Sequence, residues 1–476
     1  MKSKELSRRD FLRLSALTAA TAAGAAALAG CGSPPAQPSV EEEEPAAVEE
    51  PVAEATEEPA APTAEAPEAA AGTVTIMHDR KELTEDQEAQ FEADHPGIQI
   101  DFVEQDVARF IADYAAGNPA DLVRVQAPSI PQFLARGLLY DLTAYFETSD
   151  LLSLDDLAPA NKCYMATSPF EIGSGPIYGM CKDWSPDFTI YVYTKAFEDA
   201  GVDVPDPETP LTYQEVLELA RQVAQFEGDR TLMFGFDYEL GWVGRIMSNL
   251  LAEVDESLYK DEFTRIDLTG NEEVKGVAEY FYTLAAENLG VNPINPSPNW
   301  IGADFNEGIV AMIEYGYWFS AMAESEITAG QVVMLPAPTW AGVRRDPTMT
   351  ATGMIMAAAS EVPDAAWKVF EWYNGGEPSI GRASSGWGVP ALKSQYELMP
   401  NETDFQKHVQ QVLAGEIALD TPPIQFNPYL SETAFGDSWG VNLARALEGE
   451  FGFEELLANV EGEVNAAIQD GMDRIG

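Results

Sequence analysis

Basic residues, histidine and cysteine are all scarce in this 476-residue chain. Lysine and arginine number 27 against 79 aspartates and glutamates, a formal charge of −52. A surface of that sign repels phosphate backbones and anionic headgroups, so no nucleic acid is expected as a partner and lipid surfaces are poor ones. The three histidines, His78, His95 and His408, form no pair at metal-ligand spacing. There is no Gly-x-Ser-x-Gly elbow and no phosphate-cradling Gly-rich loop followed by Lys and Ser/Thr. Carboxylate pairs abound, but among 79 acidic residues they say almost nothing about general acid/base work. The expectation is a protein with no cofactor, no metal and no catalytic residue.

Long apolar runs are missing as well. The one from Leu14 to Ala29 is mostly alanine, short and weak beside the about 20 strongly apolar residues of a membrane span. It follows Ser7-Arg8-Arg9-Asp10-Phe11-Leu12, a twin-arginine pattern, and Met1–Gly30 has the three-part layout of an export signal. The segment ends at Leu28-Ala29-Gly30-Cys31, which resembles the lipobox of bacterial lipoproteins. By that resemblance Cys31 is diacylated and becomes the mature N-terminus, so the membrane is met through lipid alone. Residues 31–72 then form a tether: Gly32–Ala71 holds eleven glutamates, eight prolines and no aromatic residue. Such a stretch buries too little apolar surface to offset the entropy of ordering it.

About 400 residues remain, too many for one ordinary core. Val74-Thr75-Ile76-Met77 reads as a strand, Thr84-Glu85-Asp86-Gln87 as a capping box opening a helix to about Asp94, and Ile98–Phe102 as a second strand. A helix over 108–116 and a strand over 121–125 continue the alternation, which predicts an α/β fold with mainly parallel pairing. Thr212-Tyr213-Gln214-Glu215 opens another helix, with Val216, Leu219, Val223 and Phe226 on one face. Trp367, Phe370 and Tyr373 share a face of a helix over 364–373, and Leu456, Leu457, Val460, Val464 and Ile468 share one near the C-terminus. Cys163 and Cys181 either bridge, contributing on the order of 3 kcal/mol, or remain two buried thiols.

Nine segments stand in one order along 74–392: FEADHPGIQI, AAGNPADLV, GLLYDLTAYF, IYGM with IYVYTKAFEDAGVDVP, LTYQEVLELA, FNEGIVAMIEYGYWFS, VVMLPAP, PDAAWKVFEWY and GWGVP. In that order they resemble the extracellular solute-binding protein family 1, of the maltodextrin-binding type. The resemblance implies a type II periplasmic-binding-protein fold: two α/β lobes joined by a hinge, with the ligand in the cleft between them. It places crossovers near Asp187–Ile190, Val333–Pro336 and Trp387–Pro390. Lobe 1 is then 73–187 plus 337–387, and lobe 2 is 188–333 plus 388–476. The stretch between Asp101 and Asn118 is short for the family, which trims the rim of the first lobe.

Sugars offer apolar C–H faces and rims of hydroxyls, so they suit flat aromatics edged by polar groups. Trp318, in Glu314-Tyr315-Gly316-Tyr317-Trp318, matches a position where members of the resembled family place a cleft aromatic; a core tryptophan is the alternative. Trp387 sits at an expected crossover, and Trp242 and Trp300 lie in loop-like sequence. Ligands of α/β sheets collect at the carboxyl ends of strands, which selects His78, Asp79, Gln126 and Glu239. Few basic residues are expected at the cleft, which favours a neutral sugar over a phosphate or carboxylate, with a polyamine second. The resemblance implies an extracytoplasmic, monomeric receptor that delivers its cargo to the permease of an ABC importer. A lipid-anchored glycoside-active enzyme and a receptor that signals without transport are the rivals.

Overall fold

The computed structural model describes residues 70–475 apart from Asp229. The export signal, Cys31 and most of the tether lie outside the described residues. Strand Gly72–His78 buries Val74, Ile76 and Met77 and pairs in parallel with Ile98–Glu104 on one side and Leu122–Val125 on the other. The first helix, Glu85–Asp94, begins at the expected capping box: Gln87 N–H donates to Thr84 Oγ1 (3.3 Å) and Thr84 N–H to Gln87 Oε1 (3.0 Å). The next helix spans Val107–Ala115. These elements make the β-α-β-α-β opening read from the sequence.

Beyond them the pairing turns antiparallel. Gly353–Met356 runs against Leu122–Val125, and Gly179–Cys181 runs against Gly353–Met356, completing a five-stranded first sheet. In a separate sheet Ile190–Tyr193, buried along its whole length, is flanked by Met312–Glu314 and Val332–Leu335, both antiparallel. Mainly parallel pairing is therefore corrected: it holds for the opening alone, and the later strands of both sheets pair antiparallel.

Two sheets with their own helices place the switch points directly. The chain first passes between the two sheets from Asp183–Trp184 to Ile190. The second comes later than Val333–Pro336. Thr339 still pairs with Leu211–Thr212 and Trp340 N–H still donates to Glu253 (2.9 Å), and the chain returns to the first sheet near Thr350, whose carbonyl accepts from Ala127 N–H (2.9 Å). The third also moves. Val389–Pro390 pairs with Asp183–Trp184, but Ser394 N–H then donates to Asp156 (2.8 Å) and Gln395 to Ser379 (2.8 Å), so the chain leaves the first half only after Leu398. Helix Asp404–Ile417 lies against strand Val332–Leu335 in the second half.

Helix Tyr213–Val223 buries Val216 and Val223, whereas Phe226 is exposed in a short hairpin beyond its end. Helix Pro363–Gly375 buries Trp367, Phe370 and Tyr373, and Phe453–Ile475 buries all five residues expected of it. Cys163 and Cys181 are free and buried. Burial pushes the Cys163 thiol up to about 12 and moves Cys181 the same way, which suppresses the reactive thiolate. N-Ethylmaleimide at neutral pH is expected to leave both unlabelled in the folded chain and to label both in guanidinium, as read by peptide mass spectrometry.

Several buried ionisable groups make stability depend on pH. Burial holds Glu314, the acceptor of Tyr213 Oη–H (2.7 Å), up to about 8, and raises Asp187 and Asp237 too. Above the ordinary value of 4.5 the unfolded chain releases protons that the fold retains, so stability falls as pH rises through this window. Burial also draws His78 down from 6.5 to about 3; below 6.5 the unfolded chain takes up a proton that the fold refuses, so stability falls as pH drops. Glu314 and His78 by themselves offset one another between about 4.5 and 6.5, and the raised Asp187 and Asp237 move the maximum of the melting temperature toward the acid end of that window. Glu314→Gln should flatten its alkaline limb and His78→Gln its acid limb in a calorimetric pH series.

Candidate functional site: an aromatic wall facing a charged wall

The site lies at the carboxyl ends of the first sheet's parallel strands, beside the crossovers. Arg124 is the one charged residue of strand Leu122–Val125. Glu82 grips its guanidinium with both oxygens (2.6 and 2.7 Å), and Gln105 Oε1 accepts from it at 2.9 Å. Lys182, buried right after strand Gly179–Cys181, pairs with Asp183 and reaches Glu82 at 3.3 Å. Burial of Glu82 opposes its ionisation, but Lys182 and Arg124 outweigh that and hold its carboxyl below the usual carboxylate range.

The opposite wall is aromatic. Tyr315, Trp318 and Trp300 follow or flank strand Met312–Glu314. Trp300 stacks on Tyr315 (centroids 5.8 Å, planes 28° apart) and on Trp318 (6.1 Å, 26°). Trp242 meets Tyr315 edge-on at 6.2 Å, and Trp387 approaches Trp318 at 6.3 Å. The loop carrying these rings passes the first crossover so closely that a methyl on Gly316 would collide with Ser185 Oγ, Asp187 Oδ1 and the Pro186 carbonyl. Trp387 is presented by a left-handed turn at Gly386 (φ 74°), which ends helix Glu377–Ser385.

Two cavities share Glu82, Arg124, Lys182 and Trp387, and the smaller runs between the walls. The smaller, about 160 Å³, is lined by Gln126, Trp242, Trp318 and Trp387 together with Thr350 and Thr352. The larger, about 600 Å³, opens along the first half past Asp79, Lys81, Thr84 and Arg382. Four of the eight expected residues thus converge on one cavity, and Asp79 lies on its neighbour. Trp300 is 44% exposed but stands behind Trp318, and Glu239 accepts from Tyr315 Oη–H (3.1 Å), one shell away from either cavity.

His78 is corrected. It is fully buried, its Nδ1 accepts from Asp79 N–H (2.9 Å), and its ring packs on Tyr373, so it lines neither cavity. The expectation of few basic residues is overturned, since Lys81, Arg124, Lys182 and Arg382 all line the larger cavity. Lys182 and Asp183 were missed although they follow an apolar strand, where the carboxyl-end rule would have found them. Arg124 and Glu82 had no local mark, because a charge within a strand and one in a turn become a pair only when the chain folds.

The chain matches the family model for the bacterial extracellular solute-binding protein over residues 75–377. It belongs to that family. Solved structures share the fold at low identity. An ABC substrate-binding protein from Listeria monocytogenes, in complex with cycloalternan, is 17% identical with a TM-score of 0.66, covering 83% of this chain and 99% of that one. An ABC transporter associated binding protein from B. animalis subsp. lactis, in complex with β-1,6-galactobiose, is 18% identical with a TM-score of 0.64, covering 85% and 98%. A solute-binding protein from Agrobacterium vitis with bound D-mannitol is 16% identical, with a TM-score of 0.64 and coverage of 85% and 99%. None of the curated proteins matches by sequence. The two-sheet body is thus a type II periplasmic-binding-protein fold, and the paired walls lie between its lobes.

The ion network under the cleft makes a direct stability test. Lys182→Met leaves Asp183 without its cation and strips one of two from Glu82. Breaking such a buried pair costs about 3 kcal/mol. A lower urea midpoint with an unchanged slope is the expected readout; an unchanged midpoint would mean the network contributes nothing.

Proposed function

We propose that the chain is the receptor of an ABC importer, holding a sugar or short oligosaccharide between its lobes and presenting the closed form to the permease. The observation that carries this reading is the indole wall of Trp318, Trp387 and Trp242 across the cavity from Gln126 and the charged network. Flat apolar faces opposite hydrogen-bonding groups are what a sugar ring, apolar on its face and polar at its rim, requires. The saccharides and polyol bound to the structural relatives above support the same class.

The receptor is read as a monomer, exported by the twin-arginine route and held to the membrane by lipid on Cys31, with the acidic tether carrying the body above the surface. Among the described residues no helix is long and apolar enough to cross a membrane. The polyamine reading is disfavoured by the lysines and arginines of the cleft. Glycoside hydrolysis needs a carboxylic acid with a raised pKa opposite a second free carboxylate. Glu82 is instead an ion-paired carboxylate held low, and Asp183 is tied to Lys182.

A thermal-shift screen of the full chain carrying C31A against mono- and oligosaccharides, polyamines and amino acids tests the reading. A saccharide at about a hundred times its dissociation constant stabilises the fold by roughly 2.7 kcal/mol. Trp318→Ala removes an indole face of contact, worth about 2 kcal/mol or roughly thirtyfold in affinity by calorimetry. Shifts with polyamines alone would change the ligand class, and breakdown of the saccharide would overturn the receptor reading.

A further inference from the structure

We infer that the ligand is an anionic saccharide, one with a carboxylate or sulfate on a sugar ring, and that Arg382 and Lys81 meet its charge. The inference rests on the saccharide reading and narrows it. In a chain of formal charge −52 an arbitrary cavity should be lined by acid. The 600 Å³ cavity instead gathers Lys81, Arg124, Lys182 and Arg382 against Asp79 and Glu82.

Arg124 and Lys182 are already neutralised by Glu82 and Asp183. Asp79 turns its Oδ1 to the Lys81 backbone N–H (2.8 Å). Lys81 and Arg382 remain, and neither makes an ion pair among the described residues. Acid outnumbers base by almost three to one, 79 against 27, so two unpaired cations on one wall are contrary to what composition alone would produce.

Arg382 is held in position rather than loose. Its guanidinium lies over the Tyr373 ring, 4.3 Å from the centroid, and Nη2 donates to the Tyr373 carbonyl (2.9 Å). Its Nε and Nη1 have no hydrogen-bond partner. Behind it the Tyr373 hydroxyl and His78 Nε2 are equally unpartnered, and neither brings a negative charge to the guanidinium. A carboxylate or sulfate is attracted by the uncompensated charge of the guanidinium, as a neutral hydroxyl is not. The neighbouring Trp387, 39% exposed, offers the ring face that would carry the rest of the sugar.

Calorimetry on the full chain with C31A tests this with oligogalacturonides and sulfated galacto-oligosaccharides beside neutral galacto-oligosaccharides of the same length. Binding of one acidic series about tenfold tighter than the neutral one, with the advantage shrinking as salt is raised, is the expected result. Which acidic series binds separates carboxylate from sulfate. R382Q should reduce the acidic-to-neutral affinity ratio about tenfold, R382K less, and K81Q provides an independent check if R382Q fails to fold. Neutral saccharides binding as tightly as acidic ones, or a ratio unmoved in R382Q and K81Q, would overturn the inference and leave the saccharide reading standing. Binding of neither series would remove both.

Discussion

The carboxyl group of Asp187 ties the two halves of this protein together. It lies in the first crossover, fully buried, with Oδ1 accepting from Ser185 Oγ (2.5 Å). Oδ2 accepts from the backbone N–H groups of Met349 (2.7 Å) and Thr350 (3.3 Å) and from Thr348 Oγ1 (3.2 Å), all on the returning second crossover. One side chain thus staples two of the three chain passages between sheets. Burial raises its pKa, and these donors oppose that rise, so the knot depends on every donor staying in place.

The cleft is built outward from that knot. Gly316 lies against Ser185 and Asp187 because no side chain fits there, and this contact fixes the loop from which Tyr315 and Trp318 project. On the other side of the crossover, Lys182 and Asp183 immediately precede Trp184 and Ser185, so the charged wall and the aromatic wall both hang from a few consecutive residues. A second link spans the gap: Arg245, on helix Val243–Ala252 of the second half, donates to Gln126 Oε1 (3.0 Å) and to the Met349 carbonyl (3.2 Å). The cleft geometry is therefore set by polar contacts across the crossovers, with a buried sheet on either side.

The distribution of charge follows a different logic from its total. The chain is strongly acidic, yet Lys81, Arg124, Lys182 and Arg382 all line one cavity of the first half. Acid elsewhere keeps the body soluble and apart from anionic surfaces.

The sequence by itself determined what depends on neighbours in the chain. Capping boxes at Thr84 and Thr212, the stripe from Leu456 to Ile468, and the order of family landmarks all follow from spacing along one segment, because helix and strand periods are local. The loop tryptophans were legible for the same reason, since Gly- and Pro-rich surroundings mark them as exposed. Tertiary structure alone decided which of them face one cavity, that Trp300 backs Trp318 and that His78 is buried behind Asp79. It also decided where the chain passes between the sheets, the second and third passages coming after the positions the family resemblance implied. Ion pairs such as Glu82 with Arg124, and bonds such as Asp187 to Met349, join residues 42 and 162 positions apart. Their energy exists only after two distant strands have met, so no local pattern announces them.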